Sequence, residues 1–158
     1  MVLILDEWLF HDLGNDNGKE RQKETFYFLL KIKERDDKIV LIKNSKHWRK
    51  FWSFPERFFK NLEIKKKMKV LKNSFFLDSN KTLIIEELDD SHYLGDNINI
   101  FKDMNPDDYY LLSAYIKVKD DGLNPIIITT DNKLKQTLEK HQLNIEFRDE
   151  FIKNYMAQ

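Results

Sequence analysis

The chain lacks cysteine altogether and has only four glycines and three prolines among its 158 residues. Without cysteine there is no disulfide, no thiolate nucleophile and no zinc site with sulfur ligands. The few glycines form no glycine-rich phosphate loop. Acidic and basic side chains balance at 27 each, so any binding of nucleic acid has to come from a local basic surface and not from net charge.

Long apolar runs are missing as well. No stretch approaches the about 20 residues that a membrane-spanning helix needs, and no basic leader of the kind that begins a signal peptide precedes Asp6. We therefore expect a cytoplasmic protein without a membrane partner. Aromatic residues, in contrast, are abundant, with twelve Phe, six Tyr and three Trp. They can supply the core of one ordinary domain that spans residues 1–158.

Short apolar runs alternate with stretches of helical periodicity along the chain. The runs predict strands at residues 2–5, 39–42, 82–85, 97–101, 125–130 and 145–147. Helical patterns between the runs include residues 19–35, 105–118 and 132–141. This alternation predicts an α/β fold with a mostly parallel central sheet that is flanked by helices on both faces.

Residues 44–96 form a middle segment that is rich in lysine and aromatic residues and largely helical in pattern. We expect Asn44 or Ser45 to cap a first helix. Ser53 and Glu56 match a capping box with a proline in its first turn, which predicts a second helix that starts at Ser53. The side chains expected to face inward after this start are Phe58, Phe59 and Leu62.

Basic side chains cluster near the beginning of this middle segment. Lysine and arginine provide the sequence-independent part of affinity for nucleic acids, and Lys46, Arg49 and Lys50 are therefore predicted to contact RNA. The ordinary alternative for such a run is a solvated helix face. The tryptophans of the same segment, Trp48 and Trp52, are spaced as core residues of a helix, which favours packing over base stacking.

Three aspartates stand at positions where a parallel sheet would gather them. Asp6 ends the first apolar run, Asp131 follows the run at 125–130, and Asp108 lies at the start of the helix before that run. Ligands of such sheets bind at the carboxyl ends of the strands. Carboxylates held close together repel each other unless a cation bridges them. Oxygen ligands of this kind suit Mg²⁺ or Mn²⁺, and phosphodiester hydrolysis is a reaction that such sites support.

Each aspartate also has an ordinary structural explanation. Asp107 and Asp108 fall in the first turn of a helix, where the helix dipole favours negative charge. Asp131 can cap the helix that follows it. Taken singly, these explanations come first, and only the combination of three acids at strand ends favours a metal site.

The same residues resemble the motifs of the PIN-like nuclease family. Val-Leu-Ile-Leu-Asp at residues 2–6 is similar to its first strand and aspartate. Asn-Pro-Asp-Asp-Tyr-Tyr-Leu-Leu-Ser-Ala at 105–114 resembles the helix that begins with an acid. Ile-Ile-Ile-Thr-Thr-Asp-Asn-Lys-Leu at 126–134 resembles the strand that ends in Thr-x-Asp. The resemblance covers both ends of the chain and leaves residues 44–96 without a match.

The resemblance implies a metal-dependent ribonuclease similar to the toxins of toxin–antitoxin pairs. It implies Asp6, Asp108 and Asp131 as catalytic metal ligands for Mg²⁺ or Mn²⁺, with Asp107 as a further ligand and Thr129 as a supporting hydroxyl. RNA would be the substrate. A protein partner such as an antitoxin and a second copy of the chain in a homodimer are further partners that the resemblance suggests.

One acidic position of the family pattern is missing. Residues 44–50, where a further acid is usual, contain none, and His47 occupies the stretch instead. Glu24, Glu86 and Glu87 are the acids considered as substitutes. The gap leaves a second interpretation open, in which the chain is a catalytically inactive PIN-like module that binds RNA or a protein. A receiver-like domain with Asp6 as phosphoacceptor is disfavoured.

Overall fold

A five-stranded sheet forms the centre of the computed structural model, which describes residues 1–57, 62–73, 78–86 and 97–158. All neighbouring strands run parallel, and their order across the sheet is β3-β2-β1-β4-β5. Their bounds are β1 Val2–Leu5, β2 Lys38–Ile42, β3 Thr82–Ile85, β4 Pro125–Thr129 and β5 Ile145–Phe147. The predicted α/β fold with a parallel central sheet is confirmed.

Helices cover both faces of the sheet, as the alternation in the sequence predicts. Their bounds are α1 Trp8–Leu13, α2 Lys19–Glu34, α3 Lys46–Arg57, α4 Leu62–Leu71, α5 Ile98–Asp103, α6 Tyr109–Asp120, α7 Asn132–Lys140 and α8 Arg148–Ala157. Within the described residues, no helix is both long enough and apolar enough to cross a membrane.

Successive residues of the central strands supply two separate cores. Leu3 and Leu5 of β1 pack with α1, α2 and α8 on one face. Val2 and Ile4 point to the other face, where α6 and α7 complete the second core. Because both faces are buried, the strand has no polar residue, which is why it reads as a continuous apolar run in the sequence.

The strand predicted at residues 97–101 is wrong. Residues 98–101 belong to helix α5, in which Ile98 is exposed and Ile100 packs only partly buried against the second core. Phe101 and Met104 are the buried side chains, at 4% and 7% exposure, and they are three residues apart as on one face of a helix. Phe101 packs edge-on against Tyr109, with ring centroids 4.9 Å apart. Two isoleucines are too few to distinguish a period of two from a helical period.

The predicted helix start at Ser53 is also wrong. Helix α3 runs without a break through Ser53 to Arg57, and the Ser53 hydroxyl donates to the Lys50 carbonyl within the same helix at 3.2 Å. The cap at the beginning of α3 is Ser45, whose Oγ accepts from the Trp48 amide at 3.0 Å. Leu62, expected to face inward, is 69% exposed. Phe58 and Phe59 lie outside the described residues.

Candidate functional site

A cavity of about 540 Å³ opens at the carboxyl edge of the sheet, beside β1 and β4. These two strands are direct neighbours, with Leu5 paired to Ile128. From β1 the chain first builds β2 and β3 on one side and then crosses to β4 and β5 on the other, so the topology changes direction here. Crevices at such points are where open parallel sheets bind ligands. The lining residues are Asp6, Glu7, Trp8, His11, Asn17, Asn105, Asp107, Asp108, Thr130 and Asp131.

Asp6 is a cavity carboxylate that hydrogen bonds hold in place. It follows β1 directly and is 9% exposed. Its Oδ1 accepts from the Glu7 amide at 2.6 Å and from the Tyr110 hydroxyl at 3.2 Å, while its Oδ2 accepts from the Thr129 hydroxyl at 2.7 Å. Three donors from three segments therefore fix the orientation of one carboxylate.

Thr129 connects the ends of the two central strands. Its hydroxyl donates to Asp6 and accepts from the Asp131 amide at 3.0 Å. The threonine is fully buried. Its predicted supporting role concerns the catalytic chemistry and stays a prediction, but its hydroxyl does link Asp6 to the turn that carries Asp131.

Asp131 caps helix α7 and lines the cavity at the same time. Its Oδ1 accepts from the amides of Lys133 and Leu134 at 2.7 and 3.0 Å, which satisfies two free donors of the first turn. The ordinary explanation for this aspartate is therefore correct, and it does not exclude a second role for the same carboxylate.

Asp107 and Asp108 reach the cavity from a short 3-10 turn, Pro106–Asp108, that precedes α6. The turn is capped by Asn105, whose side chain accepts from the Asp107 amide at 3.2 Å. Asp107 is exposed and Asp108 is half-buried. Both acids thus lie at the edge of the cavity opposite the end of β1. The helix start that carries them is the one that the Asn-Pro-Asp-Asp pattern predicts.

Tyr110 stands among the carboxylates and was not predicted as a site residue. Burial raises the pKa of its hydroxyl well above the usual range, and the negative charges of Asp6, Glu7 and Asp108 raise the pKa further. The hydroxyl is therefore protonated at neutral pH and donates to Asp6. Its position two residues after Asp108, on the helix that enters the site, was the only signal in the sequence.

Glu7 adds an acid that the sequence pattern did not indicate. Its Oε2 lies 2.7 Å from Lys50 Nζ of helix α3, and both side chains are about one quarter exposed, at 25% and 26%. Lys50 is one of the residues predicted to contact RNA, and it stands beside a carboxylate that lines the cavity. The pairing depends on α3 lying next to α1, which neighbouring residues in the sequence do not reveal.

His47 lies in residues 44–50, the stretch where the resemblance leads us to expect a further acid. The ring is 3% exposed, lies edge-on to Phe10 with centroids 4.7 Å apart, and stacks on Tyr110 at 5.8 Å. Burial lowers its pKa to about 4, although the charge of Glu7 acts in the opposite direction. Its Nε2 has no hydrogen-bond partner in the part of the chain that the structure describes. His47 is therefore a neutral packing residue behind Asp6.

The acids considered as substitutes lie elsewhere. Glu24 binds Arg148 and Glu86 pairs with Lys43 at 3.0 Å, while Glu87 lies outside the described residues. Of the remaining residues predicted to contact RNA, Arg49 is exposed and the side chain of Lys46 lies outside the described part.

A buried ion pair fixes helix α1, the helix that carries the cavity residues Trp8 and His11. Arg148 and Asp12 are 1% and 0% exposed, and the Arg148 guanidinium lies 2.7 Å from Asp12 Oδ2. The other oxygen of Asp12 accepts from the side-chain Nδ2 of Asn17 at 2.7 Å. The Arg148 guanidinium also lies 5.2 Å from the Trp8 ring. One wall of the cavity is thus fixed to helix α8 through charge.

The side chains of the cavity are of the type that a hard cation prefers, because five carboxylates and no sulfur line it. About 540 Å³ also exceeds the roughly 180 Å³ that a cation with six waters occupies at about 30 Å³ per water. However, no group of three or more histidine, aspartate or glutamate side chains among the described residues is placed to hold a metal ion. Asp6, Asp108 and Asp131 therefore line one cavity, but they do not form a set of direct ligands for one ion within the described part of the chain.

Comparison of the chain with protein-family models, with curated proteins and with solved structures gives no match. The function therefore has to be inferred from the geometry of the acid-lined cavity.

Proposed function

We propose that this chain is a metal-dependent endoribonuclease of the PIN-like type that hydrolyses RNA phosphodiester bonds in this cavity. The observation that supports the proposal most is the position of the five carboxylates, Asp6, Glu7, Asp107, Asp108 and Asp131, around one opening where the sheet topology changes direction. Structural needs alone explain Asp131 as a cap, but they do not explain a buried Asp6 that faces the same opening.

In this proposal Asp6, Asp108 and Asp131, with Asp107, hold a Mg²⁺ or Mn²⁺ ion, in part through water. Bound there, the cation would lower the pKa of a water molecule and neutralise charge on the phosphate oxygens. Asp6 is oriented by the hydroxyls of Thr129 and Tyr110, which both donate to its carboxylate. His11 and Asn105 at the cavity wall are additional polar groups for an RNA strand.

The proposed substrate and partners follow from the same assignment. RNA would cross the basic side of α3, where Lys46, Arg49 and Lys50 provide phosphate contacts. A cytoplasmic location, regulation by an antitoxin-like protein and a homodimer are parts of the proposal that rest on the PIN-like resemblance and not on a contact within the chain.

A non-catalytic PIN-like module that binds RNA or a protein is the second candidate. It is favoured by the fact that, among the described residues, no three acids converge as direct ligands of one ion. The neutral His47 at the position of the usual further acid points the same way.

Cleavage of a generic single-stranded RNA separates the two candidates. The wild type should cleave in Mg²⁺ or Mn²⁺ and not in EDTA, and Asp108→Asn should lower the rate at least a hundredfold. Asp121→Asn is the matched control, because the same change at the other end of the 12-residue helix α6 lies about 18 Å from the site. An inactive wild type over a range of both metals, in a folded protein, would reject the nuclease and leave the binding module.

A further inference from the structure

The cavity carries strong negative charge with little to offset it at its walls. None of the described residues that line it is a lysine or an arginine, whereas five carry carboxylates. An RNA backbone, itself an anion, would be repelled by this opening unless a cationic side chain meets it at the edge. A cationic contact for the substrate therefore has to come from an ammonium group next to the lining residues.

Lys50 carries such an ammonium group, which already forms an ion pair with a carboxylate of the cavity. Its Nζ lies 2.7 Å from Glu7 Oε2, within one ion pair that joins α3 to the end of β1. The pair is about one quarter exposed on both sides. It is therefore ordered enough to keep the lysine at the edge of the cavity, and solvated enough for one anion to replace another without a large desolvation cost.

A second lysine lies near the aspartates of the cavity. Lys133 lines a smaller cavity of about 60 Å³ that shares Asn105, Asp108 and Asp131 with the main one. The two lysines thus stand beside different acids of the cavity, Lys50 beside Glu7 and Lys133 beside Asp131. A single extended strand that touches both would pass over the acids, and a strand of this kind bends more easily into such a path than a duplex does.

We infer that Glu7 and Lys50 form an exchangeable ion pair, in which a backbone phosphate of single-stranded RNA replaces the Glu7 carboxylate as the partner of Lys50. Glu7 keeps the ammonium in place before RNA binds and lowers the affinity for anions that make no further contact. This inference deepens the proposed function, since it names a substrate contact of the same site, but it concerns binding and does not require cleavage.

The test measures the affinity of a fluorescein-labelled single-stranded RNA of about eight nucleotides by anisotropy, in EDTA so that no metal-dependent cleavage occurs. Lys50→Met should weaken binding about fivefold at 0.1 M salt and make the slope of log affinity against log salt less steep by about 0.7, as expected for one lost phosphate contact. Lys50→Arg should retain most of the affinity. Glu7→Gln should tighten binding, since the phosphate then has no competitor for Lys50.

A double-mutant cycle distinguishes exchange from general electrostatics. If phosphate and Glu7 compete for the same ammonium, Glu7→Gln tightens binding only while Lys50 is present, and Lys50→Met/Glu7→Gln binds like Lys50→Met. Lys43 and Glu86 provide the matched control, since they form an exposed Lys–Glu pair at 3.0 Å outside the cavity lining. Lys43→Met and Glu86→Gln should show no coupling in RNA affinity.

Additive effects of Lys50→Met and Glu7→Gln, or an affinity and salt slope that Lys50→Met leaves unchanged, would overturn the inference. Neither result depends on catalysis. An enzyme that cleaves RNA with an additive cycle keeps the proposed function and loses the exchange. A protein that binds RNA with the expected coupling but does not cleave it keeps the exchange and loses the nuclease.

Discussion

His47 is a base that stays uncharged near neutral pH because it is buried between Phe10 and Tyr110. Its pKa is about 4 in the folded chain, against an ordinary value of 6.5. As pH falls below 6.5, the unfolded chain binds a proton that the folded chain does not, so the free energy of unfolding decreases until the folded pKa is reached. At pH 5 the loss from this one group is about 2 kcal/mol.

The variant His47→Phe keeps a ring in this place and removes the titration. Its free energy of unfolding, measured by urea denaturation in EDTA, should change between pH 7 and pH 5 by about 2 kcal/mol less than that of the wild type. His11→Phe is the control, since His11 is exposed beside Asp16. An identical pH dependence in wild type and His47→Phe would contradict the buried neutral ring.

Arg148 is a buried cation paired with a buried carboxylate, so its loss should destabilise the chain more than the loss of an exposed charged side chain. Arg148→Met leaves the buried Asp12 without its cation, and we expect a loss of about 3 to 5 kcal/mol in the free energy of unfolding. Arg21→Met removes an exposed partner of Asp149 and should cost less than about 1 kcal/mol. Chemical denaturation of both variants checks the difference, and losses of similar size would contradict it.

At the scale of elements, the sequence predicts a strand correctly where the strand is buried on both faces and all its residues are apolar. All four residues of β1 are buried, so the run from Val2 to Leu5 admitted no competing interpretation. The two alternating isoleucines in the stretch at 97–101 are compatible with either a strand or a helix. The packing of Phe101 on Tyr109, a contact with another helix, favours the helix. Tertiary contacts of this kind are not visible in a short sequence window.

Substitutions of Asp131 can separate its role as the cap of helix α7 from its proposed role as a metal ligand. Serine is also a good cap, so Asp131→Ser should keep the free energy of unfolding within about 0.5 kcal/mol of the wild type, while Asp131→Ala should lose about 1 kcal/mol. Both variants lack the carboxylate, so both should lose cleavage and the thermal stabilisation by millimolar Mn²⁺ that the proposed site predicts. If Asp131→Ser keeps cleavage and stabilisation at the wild-type level, the aspartate is a cap alone.

The whole molecule shows where prediction from the sequence ends. Strand-end acids were identified as a group because parallel strands share one edge, and Asp6, Asp108 and Asp131 line one cavity at that edge. Glu7 and Tyr110 were missed, since their place in the site depends on how α3 packs against α1 and how α6 packs against β1. An acid next to Asp6 in the sequence, or a tyrosine within a helical pattern, does not indicate such packing.

Protection from hydrogen exchange should follow the order of the strands. The amides of β1 lie between β2 and β4 and should exchange only with global unfolding, whereas those of β5, at one end of the sheet, should exchange faster through local opening. Exchange followed by mass spectrometry, on peptides that cover the two strands, measures this. Equal protection of β1 and β5 would argue against the strand order.

The bond between Thr129 and Asp6 spans 123 positions of the chain. During synthesis, β1 leaves the ribosome long before β4, and at about 5 to 20 residues per second the interval is of the order of ten seconds. Throughout that time the aspartate at the end of β1 lacks the hydroxyl that orients it and the opposite acids of the cavity. A nascent polypeptide that ends before β4 therefore has no assembled cavity, and if the chain is a ribonuclease, its activity begins only after β4 has been synthesised.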